Sequence, residues 1–293
     1  MTSGQPLVAI VGPTASGKTA LAIEIAKRYG GEVISADSRA IYRGLSIGTA
    51  KPSPEEQQGI PHWGIDLVNP GERFTSADFQ QYANLKITEI RERGHIPIIV
   101  GGTGLYVDAV LYQFEFPAGA DDTKWRDELM MKSLDELYEY CYKNNVNLPE
   151  NKKNKRYVVN SILRKDQPQK RKHNLNDTTI VVGISTEKEE LRRRIQQRAH
   201  TIVQTGVIDE ATKAGQLYGW ENEALTGNVY PLVREYLEHH ITKSELEDKL
   251  ATRDWQLAKR QLTWLRRNEH IYWSDRDGAY TYVARQLDRL NNL

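Results

Sequence analysis

The segment Gly12-Pro13-Thr14-Ala15-Ser16-Gly17-Lys18-Thr19 constrains this chain more than any other, because of what flanks it. Leu7-Val8-Ala9-Ile10-Val11 ahead of it is an unbroken apolar run of strand length, and Ala20 to Lys27 behind it reads as a helix. A Gly-x-x-x-x-Gly-Lys-[Ser/Thr] segment between a strand and a helix is a phosphate cradle. Its glycines let backbone N–H groups close around phosphate oxygens, and the helix N-terminus adds a favourable dipole. Lys18 supplies a point charge and the Thr19 hydroxyl is suited to Mg²⁺. Which phosphate compound sits there is left open by the pattern.

The first third of the chain continues as alternating strands and helices. Gly31 to Ser35 reads as a strand ending at Ala36-Asp37-Ser38, and His62 to Val68 as a weaker one. Ser76 to Arg93 reads as a helix, and Ile96 to Val100 as a strand running into Gly101-Gly102-Thr103-Gly104. This alternation predicts an α/β fold, a P-loop NTPase-like open parallel sheet flanked by helices, with ligands beyond the carboxyl ends of the strands. Asp37 and Thr103 both fall at such ends, beside the expected phosphate loop.

The pattern changes after Phe116. Thr123 to Lys165 is helical, polar and basic, and a strand-like run returns only at Thr178 to Ile184. A small all-helical insertion, 115–176, is therefore expected within a core formed by 1–114 and 177–293. Thr186 and Glu189 read as a capping box opening a helix over Lys188 to Gln204. In the C-terminal helix, Trp255, Ala258, Leu262 and Leu265 form an apolar stripe. Arg253, Arg260 and Arg267 lie opposite it, with Trp264 beside them, placed to stack on a base or to pack under a neighbouring element.

Length and composition limit the remaining classes. The chain has 293 residues, enough for a large core carrying a smaller insertion. It has one cysteine, Cys141, which excludes an internal disulfide and a cysteine-based zinc site. No apolar stretch approaches 18 residues and the N-terminus has no secretory signal pattern, so a cytoplasmic protein without membrane contact is expected. The net charge of +1 conceals local segregation. Between Asn151 and Lys172 nine basic residues face only Asp166, and a second basic cluster spans Arg253 to Arg267. Such patches fit a polyanionic partner.

Taken together, several blocks resemble the tRNA dimethylallyltransferase (tRNA isopentenyltransferase) family. They are the phosphate loop, Ser35-Ala36-Asp37-Ser38, Ile41-Tyr42-Arg43-Gly44, Ile47-Gly48-Thr49-Ala50-Lys51-Pro52, Gly59-Ile60-Pro61-His62, Ile98 to Tyr106, and Ala258 to Arg266. They occur in family order over most of the chain, and the Ile-Gly-Thr-Ala-Lys-Pro and Lys-Arg-Gln-x-Thr-Trp blocks are specific. The absence of cysteine pairs points to the bacterial type, without a zinc finger.

The resemblance implies transfer of a dimethylallyl group from dimethylallyl diphosphate to the exocyclic N6 of the adenine 3′ to the tRNA anticodon. Gly12, Pro13, Thr14, Ala15, Ser16, Gly17, Lys18 and Thr19 would bind the diphosphate with Arg198, Arg194 being the alternative arginine. Mg²⁺ would sit at Thr19. Asp37 matches the family's base, with Asp66 the competing carboxylate; Lys18, Thr19 and Arg198 would complete the catalytic set. Contacts to the anticodon stem-loop are implied for Asp37, Ser38, Arg39, Ala40 and Thr103, for Arg126, Lys155 and Arg156 in the insertion, and for Lys259, Arg260, Gln261, Thr263, Trp264 and Arg266. A monomer is expected, with core and insertion gripping the stem-loop and hinge motion near Pro117 and Asn176.

The chain departs from the family pattern at two places. Val159 stands where a further arginine is usual, and Thr226 to Pro231 replaces a Gly-Tyr-Lys or Gly-Tyr-Arg pattern, keeping Tyr230. The insertion also looks shortened. Lys152, Lys153 and Lys155 are the candidates to replace lost phosphate contacts. Three other readings stay open at this point: a transferase for free adenine nucleotides, a P-loop small-molecule kinase with Asp37 as base, and a nucleotide-binding RNA-binding protein.

Overall fold

The computed structural model describes residues 5–116, 123–164, 175 and 178–291. Hinge positions Pro117 and Asn176, and the basic residues Lys165, Lys170, Arg171 and Lys172, lie outside the described residues. The chain divides into two compact units, one formed by 1–111 with 175–293 and one by 112–174.

The larger unit is built on a parallel sheet. Its strands are β1 (Leu7–Val11), β2 (Gly31–Ser35), β3 (His62–Trp63), β4 (Ile96–Gly101), β5 (Thr179–Ile184) and β6 (Tyr272–Ser274), in the order β3-β2-β4-β1-β5-β6. β1 is central, paired with β4 through Val8–Ile98 to Val11–Gly101 and with β5 through Leu7–Thr179 to Val11–Gly183. All five residues of β1 are buried, as an unbroken apolar run requires of a strand covered on both faces. The step from β1 to β2 runs one way along the sheet and that from β3 to β4 the other. Right-handed crossovers then put α1 (Lys18–Tyr29) and α3 (Ser76–Glu92) on opposite faces. On the α1 face, Val8, Ile10, Ile98 and Val182 meet Leu21 and Ile25 of α1, and Val283 and Leu287 of α12 (Arg276–Asn291).

β3 is shorter than the sequence suggests. Gly64 and Asp66 both take positive φ, 82° and 53°, which turns the chain out of the sheet after Trp63. A Cβ on Gly64 would lie 2.6 Å from the Ser35 carbonyl oxygen, so the turn is pressed against β2. β6, with its three residues, has too short a pattern to be read from sequence, and completes the far edge through Val182–Tyr272 to Ile184–Ser274.

The chain beyond β5 continues as α8 (Lys188–Gln204), α9 (Val207–Tyr218), α10 (Tyr230–Leu237) and α11 (Lys243–Leu265), with α8 packed on α11 and α10 on both α9 and α11. The expected capping box at the start of α8 is corrected: Glu187 is the N-cap, its carboxylate accepting from the Glu189 and Glu190 N–H groups. The helix begins one residue too late for Thr186 to reach them. The buried ridge of α11 also differs from expectation. It runs Leu246, Leu250, Asp254, Ala258 and Leu265, while Trp255 and Leu262 are only half-buried.

The smaller unit contains α5 (Thr123–Met131), α6 (Leu134–Lys143) and α7 (Lys155–Arg164). Its core is Leu129, Leu137, Cys141, Val158, Val159, Ile162 and Leu163. Val159 is fully buried, so an arginine would be a poor fit at this position. Inside this unit Arg126 donates to the Asn160 side chain and the Lys155 ammonium to the Met130 carbonyl. The latter serves the C-terminal end of α5, where a cation is favourable. Arg156, Lys152 and Lys153 are exposed.

Candidate active site

Three strand ends converge on one cleft of about 470 Å³, lined among others by Thr14, Lys18, Thr19, Asp37, Thr103 and Arg198. The phosphate loop forms its floor. Ala15 and Gly17 hold positive φ, 61° and 88°, and Gly17 delivers the chain into α1 in the left-handed conformation. The first N–H groups of α1 have no intrahelical acceptor and are available to an anion. The loop is closed by the Ser16 N–H on the Pro13 carbonyl, 3.3 Å, and by the Lys18 ammonium on the same carbonyl, 3.1 Å. The Ser16 hydroxyl is fully buried and has no hydrogen-bond partner among the described residues. Burial lowers Lys18 from 10.5 to about 8; nearby Asp37 opposes the fall and Arg198 adds to it.

The Asp37 turn is tied to the end of β4. Thr103 N–H donates to the Ala36 carbonyl at 3.3 Å, and the Thr103 hydroxyl accepts from the Ser38 N–H at 3.1 Å. Gly101 is obligatory at this crossing, since a Cβ there would lie 2.2 Å from the Ala36 carbonyl oxygen. Asp37 Oδ1 accepts from the Arg39 N–H at 2.8 Å and the Ala40 N–H at 3.4 Å. This leaves Oδ2 without a donor among the described residues. Asp66, the competing carboxylate, is instead held 2.6 Å from the buried Lys51 ammonium and is not among the cleft-lining residues.

Of the two arginines on α8, Arg198 lines the cleft and Arg194 does not. Arg194 donates from Nε to Glu190 at 2.7 Å. Arg198 Nε lies 3.6 Å from Asp254 Oδ2, beyond hydrogen-bonding distance.

The C-terminal helix brings a mixed set. Gln261 Oε1 accepts from the Thr14 N–H at 2.8 Å, and a Cβ on Gly102 would lie 2.3 Å from its Nε2. Trp264 is half-buried: its indole N–H donates to Asp108 at 2.7 Å and its ring lies against Gly104. Packing under a neighbouring element therefore describes Trp264, although one side still forms a shallow hollow with Lys259, Arg260, Thr263 and Arg267. Arg266 is on another face, beside Pro13 and Trp273. Arg253 is committed to the Asn228 carbonyl at 3.3 Å and to Glu235 at 3.4 Å. Arg39 reaches across to the Glu223 carbonyl at 2.9 Å.

Glu210 and Asp254 stand outside every sequence motif, and His62 is present only within a family block at the start of a strand. Glu210 of α9 accepts from the consecutive N–H groups of Ser46, Ile47 and Gly48 at 2.7, 2.8 and 2.8 Å, and from the Tyr230 hydroxyl at 2.9 Å. It thereby fixes the loop whose Gly48 to Pro52 line the cleft. Asp254 is a carboxylate on the buried ridge of α11, a charge where the period-four spacing calls for an apolar residue. His62 lines the cleft with Nδ1 on the Ile60 carbonyl at 2.8 Å; its buried Nε2 has no partner among the described residues, and burial lowers its pKa.

The profile described as IPP transferase matches residues 40–268, and that described as isopentenyl transferase matches 5–69. The tRNA dimethylallyltransferase of Halalkalibacterium halodurans is 37% identical, over 92% of this chain and 91% of its own. That of Bacillus cereus (strain AH187) is 34% identical over 98% of this chain and 97% of its own. The crystal structure of the full-length tRNA isopentenylpyrophosphate transferase from Bacillus halodurans superposes with a TM-score of 0.75. It is 35% identical and covers 98% of both chains. With near-complete coverage at this identity and a profile match spanning most of its length, the chain belongs to the IPP transferase family of tRNA dimethylallyltransferases.

Proposed function

We propose that this protein transfers the dimethylallyl group of dimethylallyl diphosphate to N6 of the adenine 3′ to the tRNA anticodon. The observation that carries the reading is the shared cleft: a phosphate loop with Lys18 and Arg198, and across it Asp37 with one carboxylate oxygen uncommitted among the described residues. A kinase would use the same loop, but the family relationship and the exposed basic face of α11 favour an RNA acceptor.

The step balances within these groups. The allylic C–O bond breaks and its electron pair leaves on the diphosphate. The N6 lone pair forms the new C–N bond, and the N6 proton passes to Asp37 Oδ2. Charge grows on the diphosphate as the bond breaks, so the loop N–H groups, Lys18 and Arg198 favour the transition state over the ground state. A stacked adenine hides its amine from the cleft, so the base is turned out of the loop into it. Thr103, Ser38, Arg39 and Ala40 would border the reacting base, and Lys259, Arg260 and Thr263 the backbone. The exposed Arg156, with Lys152 and Lys153, would contact phosphates from the smaller unit.

Thr19, in the first turn of α1, offers a hard oxygen donor in the cleft, and no cluster of three or more His, Cys, Asp or Glu side chains suited to a metal occurs among the described residues. That donor fits Mg²⁺ held by one or two side chains together with substrate phosphates. When bound, the ion would help neutralise the leaving diphosphate. No helix among the described residues is long and apolar enough to cross a membrane.

The direct test supplies labelled dimethylallyl diphosphate and Mg²⁺ to an unmodified anticodon stem-loop and, separately, to AMP. Label in the stem-loop alone is the expected result. Label in AMP alone would move the protein to the free-nucleotide reaction, and label in neither would overturn the transferase reading.

A further inference from the structure

Among the described residues of the larger unit, Asp254 is one of two buried carboxylates, and the one that lines the cleft; it is 4% exposed. Glu32, the other, is matched by Arg93, His95 and the Trp63 indole N–H at 2.7–2.9 Å. Asp254 has much less. Its Oδ1 accepts one neutral hydrogen bond, from Asn228 Nδ2 at 2.9 Å, and its Oδ2 faces Arg198 Nε at 3.6 Å. A buried charge this sparsely paired costs stability relative to an apolar side chain. It also occupies a ridge position between Leu250 and Ala258, where an apolar residue would pack. Stability therefore does not account for it.

Its surroundings do. The cleft collects two cations, Lys18 and Arg198, close enough for Arg198 to depress the ionisation of Lys18. Before an anion arrives these repel, and Arg198 has solvent on one side to swing into. Asp254 supplies the opposing charge from beneath. It lies at the Nε edge of the guanidinium, and neither Nη group is engaged by a described residue. Asn228, which orients the carboxylate, is itself held through its carbonyl by Arg253 at 3.3 Å.

We propose that Asp254 is a positioning residue for the transfer step, its carboxylate keeping Arg198 in the cleft against Lys18 with both Nη groups free to meet the charge developing on the leaving diphosphate. The proposal rests on the diphosphate role given to Arg198 above. Because that charge is fully formed only late in the reaction, the effect falls on turnover and on affinity for the product diphosphate, and little on KM for the substrate.

The test is a double-mutant cycle of D254N with R198M, repeated with R198K as the milder arginine variant. Asparagine keeps the volume and the acceptor for Asn228 while removing the charge. D254N is expected to lower kcat about tenfold, less than the ~10²–10³ of deleting a transition-state donor outright. KM for dimethylallyl diphosphate and the melting temperature should stay near wild type. In the R198M background D254N should have no further effect. An unchanged kcat, or an equal loss in both backgrounds, would overturn the proposal. The same cycle is read independently as affinity for inorganic diphosphate, where D254N should weaken binding in the wild-type background and not in R198M. That arm decides the role of Asp254 even if no transfer is seen, a failure that would fall on the proposed function instead.

Discussion

The Gln261 side chain accepts a hydrogen bond from the Thr14 backbone N–H at 2.8 Å, so the C-terminal helix fastens the phosphate loop across 247 positions of sequence. Thr14 is buried, and removing the acceptor would leave its N–H unpaired away from water. Q261A is expected to lose about 1–3 kcal/mol of stability, measurable by urea unfolding. Q261E keeps the acceptor oxygen and should unfold near wild type. Its added negative charge beside the loop should nevertheless weaken diphosphate binding.

The pKa of Lys18 sets a pH dependence with a definite sign. In the free protein the ammonium titrates near 8, against 10.5 for an ordinary lysine. Affinity for an unreactive alkyl diphosphate should be flat below pH 8. Above it, affinity should fall by up to about tenfold per unit as the free protein loses that charge, measured by calorimetry. The unfolded chain holds this proton more tightly between pH 8 and 10.5, so the stability penalty is full below 8 and disappears as pH rises through that window. K18M should accordingly melt higher than wild type at neutral pH while losing transfer activity.

Glu210 accepts from three consecutive N–H groups and a buried tyrosine hydroxyl. An amide cannot reproduce this, because one of its two polar atoms is a donor. E210Q is expected to cost about 1–3 kcal/mol in equilibrium unfolding and to raise KM through a loosened 46–52 wall. Unchanged stability would mean that the loop is held by its other contacts.

Gly104 opens α4 (Gly104–Leu111) directly beneath Trp264, where a Cβ would lie 2.0 Å from the indole Cδ1. G104A should push the ring off Asp108 and destabilise by about 1–3 kcal/mol. Differential scanning calorimetry of G104A beside W264F separates the clash from the lost hydrogen bond.

The parts of the site that lie on one short segment were legible in the sequence. The phosphate loop, Asp37 and Thr103 each follow an apolar strand, and a parallel sheet brings such ends together. Arg198 was reached only through the family resemblance, since spacing along α8 does not separate it from Arg194. Glu210 and Asp254 belong to no local pattern: each works on segments 20 or more residues away, so its function exists only after folding. Asp254 did leave one trace, a charge at period four among Leu246, Leu250 and Ala258. The basic cluster of α11 divides on folding for a related reason. Arg253 and Arg266 look alike in a charge count, yet one is spent inside the fold and the other faces away from the Lys259–Arg260 surface.

The role of Asp37 as base is tested most directly by the single-turnover transfer rate of D37N on the anticodon stem-loop. Asparagine retains Oδ1 as acceptor for the Arg39 and Ala40 N–H groups, so the turn survives while the base is removed. The expected rate is about 10²–10⁴-fold below wild type, with stem-loop affinity nearly unchanged. Transfer by D37N at the wild-type rate would contradict that role.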